Sequence, residues 1–188
     1  MSFDMTIVVD GITLDHNPTD YSPEVLRFGS SDRNLDGSLS STDFIDKYRI
    51  NLSNLTITNW QSLQRLFARK NKSLPYRDGV YIVQTIDGDG SETSFNLGRK
   101  AYSSATEATG WIDSVQKSVT FTTATNPGST QIFINPATGA VTTGSTANDS
   151  SDNIEIYYIP IFTMKLIDPK LSYHPNVIYE YVVTFEEV

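Results

Sequence analysis

A change of hydrophobic period after residue 53 constrains the fold more than any other feature of this sequence. From Lys47 to Ser53 apolar and polar residues alternate, so that Tyr48, Ile50 and Leu52 fall on one face. The intervening polar residues fall on the other face. A period of two residues is typical of a β-strand with one buried side. We therefore expect this segment to be a strand of a sheet that covers a core.

The apolar residues that follow recur at helical spacing. Trp60, Leu63, Leu66 and Phe67 would share one face of a helix spanning about 59–71. Thr58 and Gln61 match a capping box at its start, and Pro75 would stop it. This is the only helix that the pattern predicts, and its apolar face would cover the sheet.

The rest of the chain is rich in strand and turn signals. Thr6–Val9 and Ile12–Leu14 flank Asp10-Gly11, a dipeptide typical of tight hairpins. Strands are also expected at 25–28, 80–86, 154–167 and 177–185, with 92–97 returning as the hairpin partner of 80–86. The last strand has apolar residues on both faces, which favours packing in a sandwich or against another subunit. The expected fold class is mainly β.

The stretch 101–153 differs in composition from its surroundings. It is rich in Ser, Thr, Ala and Gly, and Asn126-Pro127-Gly128 marks a turn between 119–123 and 131–135, which would pair as a hairpin. Residues 138–152 have little to bury and are expected to form a mobile loop. The predicted organisation is a core of residues 1–100 plus 154–188, with 101–153 as an inserted arm or loop.

Composition narrows the class of protein. The 188 residues carry a net charge of −8, which argues against a general nucleic-acid binder. There is no cysteine, no recognisable signal peptide and no apolar run that approaches the length of a membrane span. We expect a soluble protein made in a reducing cytoplasm.

Catalytic motifs are missing from the sequence. The two histidines, His16 and His174, adjoin turn residues and have no partner at metal-ligand spacing. Phosphate-binding loops, nucleophile elbows and zinc-protease motifs do not occur. Because catalysis needs positioned titratable groups, the sequence does not predict an enzyme.

The segment from Asp32 to Asp43 matches a calcium-binding loop. Oxygen-bearing side chains occupy the ligand positions, and Gly37 stands at the sharp turn. The candidate ligands are Asp32, Asn34, Asp36, Ser38 and Asp43. Calcium is the only cofactor that the sequence suggests. Helices flank such loops elsewhere, whereas a strand pattern follows this one, so a polar Asp-Gly connection between strands is the favoured alternative.

Five basic residues cluster after the middle of the predicted helix. They are Arg65, Arg69, Lys70, Lys72 and Arg77. In an acidic protein this cluster could dock an acidic partner surface, or it could simply be a solvated helix end that complements the helix dipole. Both interpretations remain open at this stage.

The order of these features resembles tail proteins of tailed bacteriophages. The resemblance is carried by Asn34-Leu35-Asp36-Gly37-Ser38, then the strand and Leu55-Thr56 within 43–56, then Trp60-Gln61-Ser62-Leu63. The opening 12–19 and the closing 179–187 also resemble the corresponding parts of distal-tail components. About two-thirds of the chain is covered, without 101–153 and without room for a separate carbohydrate-binding domain.

The resemblance implies a tail-tube-like β-sandwich or barrel with one flanking α-helix and a β-hairpin or loop insertion. It further implies a structural virion protein that forms a ring, usually a homohexamer, at the distal tail or baseplate. Such a ring connects the tail tube to tip components, and its partners are itself and other tail proteins, with no specific nucleic acid and no membrane. A tail tube or tail-completion subunit is a close alternative. A stand-alone calcium- or carbohydrate-binding β-module is the alternative from another class.

Overall fold

A computed structural model of the chain describes residues 6–14, 21–26, 31–33, 39–41, 47–56, 60–173 and 179–188. It is mainly β, as the sequence predicts, and divides into two compact units. The inserted unit comprises Arg77–Phe162, and the discontinuous unit comprises the described residues before it together with Thr163–Val188. The described part of the chain contains no helix long and apolar enough to cross a membrane.

The discontinuous unit is built on one sheet. Its strands are β1 (Ile7–Val9), β2 (Ile12–Leu14), β3 (Tyr21–Leu26), β6 (Lys47–Thr56), β7 (Ser73–Arg77), β16 (Pro160–Tyr173) and β17 (Tyr179–Glu187). They follow one another across the sheet in the order β2-β1-β7-β16-β17-β6-β3. Strands β4 (Ser31–Arg33) and β5 (Leu39–Ser41) form a separate pair, and helix α1 spans Trp60–Phe67.

The alternation from Lys47 onward is confirmed in β6. Ile50 and Leu52 are buried, and they pair with the buried Phe185 and Val183 of β17. Since both strands keep the same period of two, one face of the pair is apolar across its width. Removing each such side chain from water contributes about 1.5–3 kcal/mol, so this row is a major part of the core of the unit.

The first hairpin is also confirmed. Strands β1 and β2 pair from Ile7↔Leu14 to Val9↔Ile12, leaving Asp10 and Gly11 as the two turn residues. Both have positive φ, +48° and +76°. Positive φ at both positions defines the turn whose twist matches that of paired strands, which is why Asp-Gly occurs there.

The helix exists but is shorter than predicted. After Phe67 the backbone tightens into three-residue turns, with Arg69 N bonded to Leu66 O at 3.0 Å, and Asn71 has a φ of +69°. A left-handed residue ends a helix without help from proline. Pro75 instead lies within β7, where its carbonyl oxygen accepts the Asp10 N–H at 2.8 Å. Thr58 lies outside the described residues, as do the side chains of Gln61, Trp60 and Leu63.

The inserted unit contains a second, strongly curved sheet. Its strands are β8 (Ile82–Gly88), β9 (Ser94–Asn96), β11 (Thr109–Ile112), β12 (Val115–Phe121), β13 (Gln131–Ile134), β14 (Ala140–Thr143) and β15 (Ser150–Tyr158). Their order is β8-β15-β11-β12-β13-β14-β9. The short strand β10 (Lys100–Ala101) pairs with the first residues of β16.

The curvature follows from chain connectivity. Strands β8 and β9 are consecutive in sequence but lie at opposite ends of the sheet. Six strand spacings in a flat sheet amount to about 29 Å. The six residue steps from Gly88 to Ser94 span at most about 21 Å. The sheet therefore curls into a nearly closed barrel around one core of inward side chains, which includes Ile132, Ile134, Val141, Ile154, Ile156 and Tyr158.

These strands place residues 101–153 differently from the expected arm. The units divide the chain at 76/77 and 162/163, and the Ser/Thr-rich stretch supplies five strands of a barrel. Strands β13 and β14 bury only two side chains each, so the apolar content of the stretch looks too low for a core until the strands are assembled. Within 138–152, the segment expected to be a mobile loop, β14 pairs on both sides and Ala147 is buried.

Two predicted hairpins are wrong. Strands β12 and β13 are neighbours but run parallel, from Ser118↔Gln131 to Phe121↔Ile134. Strand β9 pairs with β14, and β8 pairs with β15.

The single strand expected at 154–167 is two strands separated by Ile159. Pro160 opens the second strand, a position where a residue without an N–H is tolerated.

Candidate assembly surfaces

Metal-binding geometry is missing from the described residues, in which no three His, Cys, Asp or Glu side chains converge on one point. Of the calcium-loop candidates, Asp32 lies in β4 opposite Ser40 of β5. Asn34, Asp36, Ser38 and Asp43 lie outside the described residues. Strands β4 and β5 flank the segment 34–38. The alternative interpretation, a polar connection between two strands, expects this arrangement. The calcium site itself stays a prediction.

The five residues of the basic cluster have different surroundings in the structure. Arg65, Lys70 and Lys72 are exposed at and after the end of α1. Arg69 forms an ion pair with Asp10 in the β1–β2 turn, which anchors the end of the helix to that hairpin. Arg77 belongs to the inserted unit, where its guanidinium lies 3.9 Å from the ring centre of Tyr102. Three of the five predicted docking residues, Arg65, Lys70 and Lys72, are therefore exposed outside these two contacts.

Strand β8 is an edge strand with a free outer side. It pairs with β15 from Ile82↔Tyr158 to Gly88↔Ser150. From Ile82 to Asp87, no backbone group has a hydrogen-bond partner on the other side within the described part of the chain. Its outward-facing Val83 is 55% exposed. Unpaired N–H and C=O groups in a row are a template for another strand.

Strand β3, at the edge of the other sheet, is protected. It pairs with β6 alone along the sheet order, and it contains Pro23, which has no N–H to offer. Glu24 adds a charge whose carboxylate lies 3.8 Å from the Arg49 guanidinium. Prolines and charged residues are the devices by which natural edge strands avoid further pairing. Strand β8 has no proline, no bulge between Ile82 and Ile86, and only Asp87 as a charged residue.

The outer face of the barrel carries a group of aromatic side chains. The rings of Tyr81 and Tyr157 stack with centres 4.6 Å apart, and the Tyr81 hydroxyl accepts the Glu107 N–H at 3.2 Å. Trp111 points to the same face, on the strand beside Tyr157, directly opposite Glu155. All three rings are half-buried. On neighbouring strands, Thr109 lies opposite Tyr157 and Gln116 lies opposite Trp111. Such a surface can stack on flat ligands and hydrogen-bond around them.

One end of the barrel is acidic and tightly hydrogen-bonded. The inserted unit carries nine acidic and four basic side chains, a net charge of −5. Asp87 accepts the Asp152 N–H at 2.7 Å, and Asp113 accepts the Asn153 side-chain amide at 2.7 Å. The backbone N–H groups of Glu92 and Ser91 donate to Asp89 and lower the pKa of its carboxyl group. These bonds order the loops.

Sequence patterns could not reveal the free edge of β8, because its status depends on which strand lies beside it. The hairpin pattern assigned it a partner, 92–97, that in fact lies at the other end of the strand order and pairs with β14. Comparison with protein-family models, with curated proteins and with solved structures finds no match to this chain.

Proposed function

We propose that this chain is a structural subunit of a bacteriophage tail, forming a ring at the distal tail or baseplate that connects the tail tube to tip components. One observation carries the proposal. Two segments of the resemblance, 43–56 and 179–187, lie far apart in sequence but supply β6 and β17, which are neighbours in one sheet with Phe185 opposite Ile50. A resemblance spread over adjoining strands is what a shared scaffold would produce.

The surfaces of the chain suit an assembly protein. Polar and charged side chains are common on the outer sheet faces, and one edge of the barrel sheet has no partner in the described part of the chain. The exposed basic side chains of Arg65, Lys70 and Lys72 contrast with the acidic end of the inserted unit. Patches of opposite sign on one chain favour head-to-tail contacts, and head-to-tail contacts close into rings when the rotation permits. A tail tube or tail-completion subunit would use the same surfaces.

The test is the state of the full-length chain in solution and in particles. We expect ring-shaped particles of one symmetry by negative-stain electron microscopy, with a matching mass by multi-angle light scattering. We also expect the chain among the proteins of purified tailed particles, where its position separates a distal ring from a tube. A strict monomer that joins no tail complex would contradict the proposal.

A second candidate, carbohydrate binding, is favoured by the stacked Tyr81 and Tyr157 with Trp111 beside them. Aromatic rings bordered by hydroxyl, amide and carboxylate groups match the apolar faces and hydroxyls of sugars. Titration of the full chain with bacterial surface polysaccharide, followed by tryptophan fluorescence, tests it. We expect the response to disappear in Tyr157→Ala, which keeps the Trp111 fluorophore, and to persist in Thr120→Ala. Equal responses in both variants would remove this candidate.

A further inference from the structure

Strand β8 is the longest edge strand in the described part of the chain. Along Ile82–Gly88 the side chains alternate, with Val83, Thr85 and Asp87 on the outer face. The inward-facing Ile82 and Ile86 pack on the core but are only partly buried, whereas Ile154 and Ile156 of the adjoining β15 are fully buried. The edge therefore exposes both backbone groups and apolar side chains that a further strand would cover.

The order of side chains on β8 makes this edge complementary to itself. In an antiparallel pair of two β8 strands centred on Thr85, each Thr85 lies opposite its own copy. Val83 then lies opposite Asp87 of the second copy, and Gln84 lies opposite Ile86. No charged residue faces a like charge, and paired threonines are a favourable cross-strand combination. The dyad places the outer faces of both barrels on the same side, as a continuous sheet requires.

We infer that two copies of this chain associate through β8, which pairs antiparallel with itself about Thr85 and joins the two barrels into one continuous sheet. Unpaired backbone amides specify an extended strand as the occupant, because only a strand satisfies a row of alternating N–H and C=O groups. The order of Val83, Thr85 and Asp87, which pairs with itself without opposing like charges, favours a second copy as that strand. Asp87, the only charge on this edge, meets an uncharged Val83 in this register. The inference does not depend on the proposed ring.

Charge variants at the dyad test the register. Thr85→Lys places two ammonium groups directly opposite each other, and Thr85→Glu places two carboxylates there. We expect each variant alone to weaken the association at least fivefold in sedimentation equilibrium over about 1–100 µM, the range of a small interface. An equimolar mixture of the two variants should associate again, since Lys would face Glu. The matched control is Thr120→Lys, which adds the same charge to an exposed outer-face position of β12, an interior strand.

A covalent test is possible because the chain contains no cysteine. Directly opposed residues of an antiparallel pair have Cα atoms about 4.5–5.5 Å apart, within the range of a disulfide. Mild oxidation should therefore cross-link Thr85→Cys into a dimer, and should leave Thr120→Cys uncross-linked.

A wild-type chain that stays monomeric to about 100 µM would overturn the inference. So would a Thr85→Lys variant that associates as strongly as the wild type, or a mixture of the Lys and Glu variants that does not associate. Equal cross-linking of the Thr85→Cys and Thr120→Cys variants would also overturn it. If the protein also forms rings, the same contact doubles the ring, and Thr85→Lys should halve the mass without opening it. Rings that lack this contact would leave the proposed function standing and remove the inference. A dimer that forms no rings would support the inference and contradict the proposed function.

Discussion

The side-chain oxygen of Asn153 accepts a hydrogen bond from the Gly88 backbone amide over 2.7 Å, although the two residues are 65 positions apart. The amide nitrogen of the same side chain donates to Asp113 and to the Asn148 carbonyl, each at 2.7 Å. Asn153 thus ties the end of β8 to the β11–β12 turn and to the segment that enters β15. An amide can do this because it both accepts and donates.

We expect Asn153→Ala to lower the free energy of unfolding by about 2 kcal/mol, since three hydrogen bonds are lost and a half-buried N–H is left without its partner. Asn153→Asp should be no better at neutral pH, because it keeps the acceptor but sets a carboxylate against Asp113. The matched control is Asn96→Ala, in which an exposed asparagine loses one bond to the Gly98 amide. It should cost less than about 1 kcal/mol in urea denaturation. Equal costs for Asn153→Ala and Asn96→Ala would refute the role of Asn153.

Gly144 and Gly128 make a close backbone contact that orders the long connection between the parallel strands β12 and β13. A Cβ at Gly144 would overlap the Gly128 carbonyl oxygen, whereas a Cβ at Gly128 meets only Gln131 Oε1 at 3.4 Å. We therefore expect Gly144→Ala to cost about 1–3 kcal/mol in thermal or urea unfolding, as overpacking does. Gly128→Ala should change stability little. If Gly144→Ala left the stability unchanged, the β12–β13 connection would be able to move away from residue 144 at little cost.

Arg49 lies at the centre of a charge ladder on the outer face of the discontinuous unit. Glu24 and Glu186 flank it on the neighbouring strands, and Lys165 lies opposite Glu186. The guanidinium is 3.3 Å from Glu186 Oε2. Arg49→Glu should destabilise the chain by about 1 kcal/mol or more, because like charges would lie directly opposite each other on both sides.

The salt dependence separates this charge effect from a loss of packing. The cost of Arg49→Glu should shrink in about 1 M salt, where screening is strong. Lys117→Ala serves as the control, since Lys117 donates to the Ser129 carbonyl and takes part in no ion pair in the described part of the chain. If the loss of stability caused by Arg49→Glu did not change with salt concentration, the electrostatic explanation would be contradicted.

Asp89 should titrate below the ordinary range of aspartate. The Glu92 and Ser91 amides that donate to its carboxylate stabilise the charged form and lower its pKa. A depressed folded-state pKa contributes stability that is fully present above the unfolded value, about 3.9, and is lost as the pH falls through the folded value. Carbon-detected NMR titration of the carboxyl group should show the lowered midpoint. A midpoint at or above the ordinary value would indicate that the turn is open in solution.

The calcium-loop match makes a separate prediction. If Asp32, Asn34, Asp36, Ser38 and Asp43 bind Ca²⁺, calorimetric titration should show heat and the melting temperature should rise with Ca²⁺. Asp36→Asn together with Asp43→Asn should abolish both effects. No heat and no shift in melting temperature would leave the segment as a connection between β4 and β5.

Local patterns predicted the local part of this fold. The alternation through Ile50 and Leu52 identified β6, and Asp10-Gly11 identified the first hairpin, because strand period and turn geometry are properties of neighbouring residues. The partners of β8, β9 and β13 were beyond such reasoning. Nothing close in sequence to Ile82–Gly88 indicates that its partner is Ser150–Tyr158.

The candidate surfaces show the same division. The exposed Arg65, Lys70 and Lys72 could be identified from the sequence, but the withdrawal of Arg69 into a pair with Asp10 could not, since that pair forms between elements. The free side of β8 is a property of the assembled barrel. The self-complementary order of Val83, Thr85 and Asp87 predicts a contact only for a strand at an edge, and the sequence does not show that β8 is one.

The division of the chain has a consequence for its synthesis on the ribosome. Residues Arg77–Phe162 are contiguous, so the barrel can fold as soon as they have emerged. The other unit must wait for its final strand, because Asn51 of β6 meets Thr184 of β17 across 133 positions. Until then β6 has one long side without its partner, and pairing over such a separation is slow. The early-folding barrel keeps the nascent chain compact during that interval, and a premature stop before Tyr179 would release a folded barrel attached to an incomplete sheet.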